Sequence, residues 1–172
     1  MSLRRQPTGS TQFPLNDVDG AFDRSFCLAS FITNRYIVDH VLRCARQLVD
    51  GDLEALVIWA VLAHQSVVHL MPPGSMPAAV LNEKGRVDGY EKRARPMLLR
   101  DLSAITCIPR ETARRKLEKL ASLGYVERAG RAWLLSGRRT ESDLREFTRE
   151  SVARLLVAAD EVHAAMKSVD AR

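Results

Sequence analysis

IPRETARRKLEKLASLGYVERAGR, residues 108–131, joins a strongly basic segment to two short β-like segments around an Ala-Gly pair. At the helical spacing of about 100° per residue, Ala113, Leu117 and Leu120 fall on one side of the basic segment and Arg115 falls on the other. The stretch therefore predicts a helix with one buried and one charged face, followed by a hairpin. A charged helix face is usually only solvated, so the neighbouring sequence must indicate whether this one binds a partner.

Two helices separated by a short turn are predicted here. The helix at 109–123 follows a shorter one at 101–106, and only Cys107 and Ile108 separate them, a turn of the length found in helix-turn-helix units. Pro109 suits the first helical position, where its missing N–H costs nothing. The unpaired N–H groups at this helix end favour an anion such as phosphate.

The β-like segments predict a tight hairpin. A two-residue turn at 129–130 would pair Val126 with Trp133 and place Arg128 opposite Arg131. Like charges facing each other destabilise a hairpin, and an anion beside the turn would offset that cost. Because alanine is unfavourable at positive φ, a three-residue loop with another register is the alternative.

Positive charge is concentrated in one part of the chain. Residues 92–139 contain 13 Lys and Arg against four acidic residues, a balance of +9, which leaves −4 for the remainder of a chain with 26 bases and 21 acids. This distribution predicts a localised contact with an anionic partner. Aromatic residues that could stack on single-stranded bases are scarce in this segment, which favours duplex DNA over RNA.

The composition is that of one soluble globular domain. The chain has 172 residues, of which 46% are apolar and 27% are charged. No apolar run is expected to reach the ~18 residues of a membrane helix. A polar stretch follows the N-terminal residues in place of the apolar core of a signal peptide, so a cytoplasmic location is expected.

No catalytic or cofactor-binding motif stands out. Cys27, Cys44 and Cys107 lack CxxC spacing and predict reduced thiols, not a disulfide framework or a zinc finger. His64 and His69 are five residues apart and would not share a helix face as metal ligands do. We therefore expect no enzymatic activity, no metal and no cofactor. Cys107 is either a redox-sensitive thiol beside the basic helix or a buried structural cysteine.

The N-terminal half predicts an arm and two helices. Residues 1–20 show no period and predict a mobile arm, 25–49 predict an amphipathic helix, and 53–71 predict a buried central helix. The Asp-Gly-Asp sequence between the helices ends the first and caps the second. Residues 74–95 have no clear period and predict a loop, and the apolar run at 97–99 could add a strand to the hairpin.

The C-terminal part predicts a long helix that begins with a capping box at 140–143. Its apolar stripe consists of Leu144, Phe147, Leu155, Leu156, Ala159, Val162, Met166 and Val169. A small domain can hardly cover a stripe on a helix about 40 Å long, so a second subunit is the expected cover. Folding back onto the helix at 25–49 is the alternative.

PMLLRDLSAITCIPRETARRKLEKLASLGYVERAGRAWLL, residues 96–135, resembles the winged helix-turn-helix of bacterial transcription regulators. The flanking helices resemble the dimeric layout of the MarR-like group. The resemblance implies a mainly α protein in which a winged helix-turn-helix domain with a short β-hairpin wing, residues 53–136, lies between dimerisation helices at 21–52 and 137–172, after an arm at 1–20. Cys107 departs from the pattern, because such turns often carry glycine.

The resemblance also implies roles for the basic residues. The helix at 109–123 would be the recognition helix in the major groove, 101–106 its supporting helix and 125–135 the wing. Arg115 and Glu111, which point outward, are the strongest candidates for contacts with base edges. The predicted DNA-binding residues are Arg100, Arg110, Glu111, Thr112, Arg114, Arg115, Lys116, Lys119, Arg128 and Arg131.

These residues divide by expected contact. Arg110, Thr112 and Arg114 join the base-edge candidates, and Lys116, Lys119 and Arg100 are expected near phosphates. The two wing arginines, Arg128 and Arg131, are expected on the backbone or in the minor groove, with a solvated turn as the alternative. The expected protein is a homodimeric, sequence-specific regulator on a near-palindromic operator, with room for a small-molecule effector. A protein-interaction or RNA-binding module is the alternative, because a fold does not fix its partner.

Overall fold

The structure, a computed structural model, describes residues 15–70, 93–136 and 142–170. Its elements are helix α1 (Leu15–Val49), helix α2 (Leu53–Val67) with a 3₁₀ turn (Val68–Leu70), strand β1 (Met97–Leu98), helix α3 (Leu99–Thr106), helix α4 (Arg110–Ser122), strands β2 (Val126–Ala129) and β3 (Ala132–Leu135), and helix α5 (Ser142–Asp170). The prediction of a mainly helical chain with a small antiparallel sheet is confirmed.

Parts of the sequence-based predictions lie outside the described residues. They include residues 1–14 of the predicted arm, 74–92 of the predicted loop, and the first two residues of the predicted capping box. Residues 15–20, also expected in the arm, already belong to α1. The predicted start of the first helix at residue 25 was therefore too late.

The chain divides into two compact units. Of the described residues, 15–38 and 152–170 form the terminal unit, and 39–70, 93–136 and 142–151 form the central unit. The basic segment lies in the central unit.

The core of the central unit lies among α2, α3 and α4. Ile58 and Leu62 of α2, Leu102 of α3, and Leu117 and Leu120 of α4 are all fully buried. The buried face predicted for the basic helix is confirmed, and the helical period turns its charged residues outward.

α2 begins with a side-chain cap. Asp50 and Gly51 take left-handed backbone conformations with φ of 54° and 82°, which ends α1 and reverses the chain. The Asp52 carboxylate then accepts a hydrogen bond from the N–H of Ala55 at 3.0 Å. This confirms that the Asp-Gly-Asp sequence ends one helix and caps the next.

The apolar length of α2 was underestimated from the sequence. Leu53–Leu70 forms an 18-residue helical segment that could cross a membrane by length and composition alone. The expectation that no apolar run reaches this length was wrong. Core helices of soluble proteins pass the same test, and 33% of this segment is buried inside the protein.

The turn between α3 and α4 is held by side chains. Cys107 takes the left-handed conformation, φ 57°, in which glycine is usual. Thr106 Oγ1 donates to the Leu102 carbonyl at 2.7 Å, and Ser103 Oγ donates to the Ile108 carbonyl at 2.6 Å. Pro109 lies at the N-cap and not at the predicted first helical position, so α4 starts one residue later.

The sheet has the strand order β1-β3-β2 and is antiparallel throughout. The predicted strand at 97–99 is confirmed for Met97–Leu98, which form β1, whereas Leu99 already begins α3, two residues before the predicted helix start at 101. The predicted two-residue turn at 129–130 was wrong: Val126 pairs with Leu135 and Arg128 pairs with Trp133. The turn lies one residue later because Gly130, φ 62°, takes its first position, where positive φ is required.

In the terminal unit, α5 packs antiparallel against α1. Ile32 of α1 packs with Ala158 and Ala165 of α5. The predicted alternative, that the C-terminal helix folds back onto the first, therefore applies to this part of the chain. It covers only part of the stripe, because Leu155 and Leu156 stay exposed.

Candidate nucleic-acid interface

Arg115 and Glu111, the strongest candidates for contacts with base edges, lie on the outer face of α4. Glu111 and Arg115 are both exposed, as is Arg110 in the first turn, whereas Thr112 is half-buried. Ala113, Leu117 and Leu120 hold the opposite face in the core. The outer residues are therefore carried by a helix whose orientation is fixed by packing.

Arg114 is engaged by two carboxylates of its own helix. Its Nε and Nη2 donate to the Glu111 oxygens at 3.0 and 2.5 Å, and its Nη1 donates to Glu118 at 2.6 Å. These partners lie three and four residues away, the spacing at which helix side chains meet. Arg114 therefore presents much less free positive charge than the sequence suggests.

The pairing keeps Glu111 charged. The hydrogen bond from Arg114, together with the positive charges of Arg114 and Arg115, holds the pKa of the Glu111 carboxyl below its usual range. Hydrogen bonds from Glu111 and Glu118 in turn raise the pKa of Arg114. An ionised Glu111 is an acceptor only, as an interaction with a cytosine amine requires.

Lys116 makes a less exposed contact. Its Nζ lies 2.8 Å from both Asp52 oxygens and 3.2 Å from Glu54, and the side chains of Lys116 and Asp52 are 17% and 15% exposed. Asp52 is the residue that caps α2, so the ion pair ties α4 to the first turn of α2. Lys119 lies beside the pair, 3.7 Å from Asp52, and is more exposed.

Both members of this pair are shifted toward their charged forms. Burial by itself would raise the pKa of Asp52, but the hydrogen bonds from Lys116 and from the Ala55 N–H outweigh it and hold the pKa below its usual value. The hydrogen bond to Asp52 raises the pKa of Lys116 despite partial burial. Lys116, predicted to contact phosphate, thus already has an anionic partner inside the protein.

The sheet brings two further basic residues to one end. Leu98, the last residue of β1, pairs with Ala132, the first residue of β3. The first turn of α3, which carries Arg100, therefore begins at the same end of the sheet as the hairpin turn at Gly130–Arg131. Arg100 is exposed and lies 3.1 Å from the Asp101 carboxylate. Arg131 is exposed at the tip of the hairpin.

Arg128 does not face Arg131, as the first of the predicted registers required. Its guanidinium lies 4.7 Å from the centre of the Trp133 ring, directly across the strand pair. Trp133 is buried, so the tryptophan provides a fixed platform for the arginine. The like-charge repulsion expected across the turn does not arise.

The free positive charge is therefore smaller than predicted and is localised. Within residues 15–70, 93–136 and 142–170, Arg110, Arg115 and Arg131 form no salt bridge. The acidic side chains that neutralise the others, above all Asp52 and Glu54, were not predicted from the sequence. Asp52 was recognised only as a helix cap, and the sequence carries no signal that it lies beside Lys116, which is 64 positions away.

The cysteines and histidines form no comparable site. In the described part of the chain, no group of three His, Cys, Asp or Glu side chains is placed to hold a metal ion. Cys107 is exposed, so the alternative of a buried structural cysteine at this position was wrong.

No protein-family model, no curated protein and no solved structure matches this chain.

Proposed function

We propose that this protein is a sequence-specific double-stranded DNA-binding transcriptional regulator. It acts as a homodimer in the cytoplasm, with α4 in the major groove and the β2-β3 hairpin on the backbone or in the minor groove. The order of helix, short strand, two helices and hairpin, with the short strand paired to the hairpin, supports a winged helix-turn-helix over residues 53–136.

The observation that carries the proposal is the position of Arg115. Its side chain is exposed at the middle of the outer face of α4, and no carboxylate among the described residues forms a salt bridge with it. An unpaired arginine on a helix fixed by packing can approach the O6 and N7 atoms of guanine with both donors of its guanidinium. Within the described part of the chain, Arg110 supplies a second guanidinium without a salt bridge five residues, or about 1.4 helical turns, earlier.

The pairing pattern changes the roles proposed for the other residues. Arg110, Arg115 and Arg131 are the free contacts, and Arg128 reaches the backbone from its position on Trp133. Glu111, oriented by Arg114, accepts from a base amine. Lys116 helps to orient α4, and Thr112, Lys119 and Arg100 lie at the margin of the contact.

The proposed dimer predicts how the two half-sites of the DNA operator are arranged. Two copies would present two α4 helices related by a twofold axis, so the operator would consist of two inverted half-sites about one helical turn apart. The exposed apolar residues of the terminal unit support self-association.

The proposal is tested by selecting duplexes from a random-sequence pool at several salt concentrations. We expect an enriched palindromic sequence and an affinity that falls steeply with salt. The slope of log affinity against log salt concentration should be about −0.9 for each phosphate contacted, because bound counterions are released. Arg115→Ala should abolish the preference at one base pair of each half-site, a loss of roughly 1–3 kcal/mol of discrimination. Arg145→Ala, which removes an exposed arginine from α5, is the charge-matched control and should keep the selected sequence.

Two outcomes would contradict the proposal. Salt-dependent binding without sequence enrichment would indicate a nonspecific nucleic-acid binder, because phosphate contacts alone give the slope. Absence of binding at low salt would leave α4 as a docking surface for a protein, and preferential capture of RNA would indicate an RNA-binding module.

A further inference from the structure

The terminal unit has one strongly apolar face. On α1, Phe22, Phe26, Thr33 and Ile37 fall within about 60° of one another at the helical spacing. Both phenylalanines and Ile37 are exposed, and none of the four positions is charged. A two-helix layer buries only the residues between its helices, so this face is uncovered within the described residues.

A groove runs along the same face between the two helices. It has a volume of about 370 Å³ and is lined by Thr33 and Tyr36 of α1 and by Leu155, Ala159 and Met166 of α5, among others. The three α5 residues again lie within about 60° of one another. Because Thr33 belongs to both the groove and the phenylalanine row, the hole and the protruding side chains share one surface.

The opposite face of the layer differs. Leu28 and Arg35 lie on that side of α1, at about 180° from the phenylalanine row. Arg35 forms a salt bridge with Glu161 of α5. On this face the charges of Arg35 and Glu161 are paired and some aliphatic residues are exposed. The groove lies on the opposite face.

We infer that the groove face is the homodimer interface, in which Phe26 of each copy enters the groove of the other. The inference rests on the homodimer of the proposed function and adds the surface and the anchor residue. An isologous interface needs a patch that is complementary to itself, and a protruding aromatic side chain beside a hole provides that complementarity.

The spacing along α1 fits a twofold axis. Phe26 and Thr33 are seven residues apart, or about 10 Å along the helix. A twofold axis that lies in the plane of the interface, perpendicular to α1 and near Ser30, brings Phe26 of a second copy opposite Thr33. By the same symmetry, Phe26 of the first copy lies in the groove of the second copy, so both phenylalanines are covered.

The area is adequate for a stable dimer. Residues 152–170 span about 28 Å, and two helices of about 10 Å diameter side by side give a flat outline of roughly 560 Å². A specific interface buries at least about 1,000 Å² in total, or about 500 Å² on each partner. The protruding phenylalanine, isoleucine and leucine side chains add area beyond the outline.

The chain offers closely matched variants for a test by analytical ultracentrifugation of the full-length protein. Phe26 and Leu28 are 54% and 52% exposed on opposite sides of α1, and Leu155 and Val157 are 47% and 59% exposed on opposite sides of α5. Phe26→Glu and Leu155→Glu should raise the dimer dissociation constant on the order of 100-fold or more. Leu28→Glu and Val157→Glu should leave it within about threefold, because isolated surface charges contribute little.

A third variant separates interface loss from added charge. Ala159→Trp fills the groove with an apolar side chain and should also weaken the dimer, and circular dichroism checks that all variants keep the helix content of the wild type. A dimer that survives Phe26→Glu but is lost in Leu28→Glu would overturn the assigned face while leaving the homodimer intact. A monomeric wild type would overturn both the assigned face and the homodimer. The selection of duplexes from a random-sequence pool would still test separately whether α4 binds DNA.

Discussion

Lys116 Nζ lies 2.8 Å from each carboxylate oxygen of Asp52, and that same carboxylate caps α2 through the N–H of Ala55. One acidic side chain thus joins the start of one helix to the middle of the next-but-one helix. The pair is mostly shielded from solvent, so removing one partner should cost more stability than breaking an exposed salt bridge. It links α4 to the first turn of α2, in addition to the core packing of Ala113, Leu117 and Leu120.

We predict that Lys116 orients α4 and does not contact phosphate. Lys116→Met should lower DNA affinity about threefold to tenfold while leaving the slope of log affinity against log salt unchanged, whereas loss of a phosphate contact would reduce that slope by about one. Stability should fall by roughly 1–3 kcal/mol in urea unfolding, since a hydrogen-bonded ion pair is lost.

Asp52→Asn provides the decisive comparison. Asparagine caps helices as well as aspartate does, so the variant removes the ion pair and keeps the cap. If Asp52 were only an acidic group near DNA, its neutralisation would increase DNA affinity. We expect a decrease, and an increase would show that the pair has no orienting role.

The ion pair also predicts how stability depends on pH. The pKa of Asp52 is lowered from its ordinary value of 3.8 in the folded protein, so its contribution is present above about pH 4 and is lost as the pH falls further. The pKa of Lys116 is raised from 10.5, so its contribution persists up to that pH and disappears above it. The difference in unfolding free energy between wild type and Asp52→Asn should be constant between these limits and shrink outside them. A difference that varied across pH 6–9 would contradict this assignment.

The acidic partners of Arg114 should restrain DNA binding. Glu118→Gln removes a carboxylate that lies 2.6 Å from Arg114 Nη1. The variant should bind all duplexes more tightly, by roughly threefold to tenfold at low salt, because α4 becomes more positive. Titrations of wild type and variant with nonspecific duplex at several salt concentrations measure the effect.

Glu146→Gln is the matched control, because Glu146 pairs with Arg149 on α5 as Glu111 pairs with Arg114 on α4. It should leave affinity close to that of the wild type. Equal gains in both variants would mean that only the net charge of the protein matters.

The turn before α4 carries measurable backbone strain. Cys107 has φ 57°, a conformation that costs a residue with a side chain about 1–2 kcal/mol. Cys107→Gly removes that cost, and part of the gain is lost to the greater freedom of glycine when unfolded. We expect a net stabilisation of up to about 1 kcal/mol in thermal unfolding, whereas Cys107→Val should destabilise the protein because β-branched residues are the least tolerant of positive φ. Destabilisation by glycine would mean that the thiol makes contacts outweighing the strain.

Periodicity alone was sufficient for part of this fold. Ala113, Leu117 and Leu120 recur at helical spacing with nothing ambiguous between them, so the buried face of α4 followed from the sequence. The hairpin was also evident, but its register depended on which residue adopts positive φ. Placing Gly130 second in the turn displaced the predicted turn by one residue and each predicted strand partner by two, so Arg128 was expected opposite Arg131 and lies opposite Trp133.

The charge state of the candidate site could not be derived in the same way. The spacing of Glu111, Arg114 and Glu118 permits the observed pairing, but it equally permits each side chain to be solvated. The contact between Asp52 and Lys116 depends on how α2 packs against α4, which no local pattern encodes. Counting basic residues therefore overstated the number available to a partner.

β2 forms an edge of the sheet, with β3 on its inner side and no further strand among the described residues. An open edge invites pairing with the edge of another molecule, and charged side chains on it discourage such aggregation. Glu127 and Arg128 lie on this strand and both are exposed, so the edge carries two charged side chains. The same arginine that is proposed to contact DNA therefore also protects the free protein from β-sheet aggregation, so replacing it would affect solubility as well as affinity.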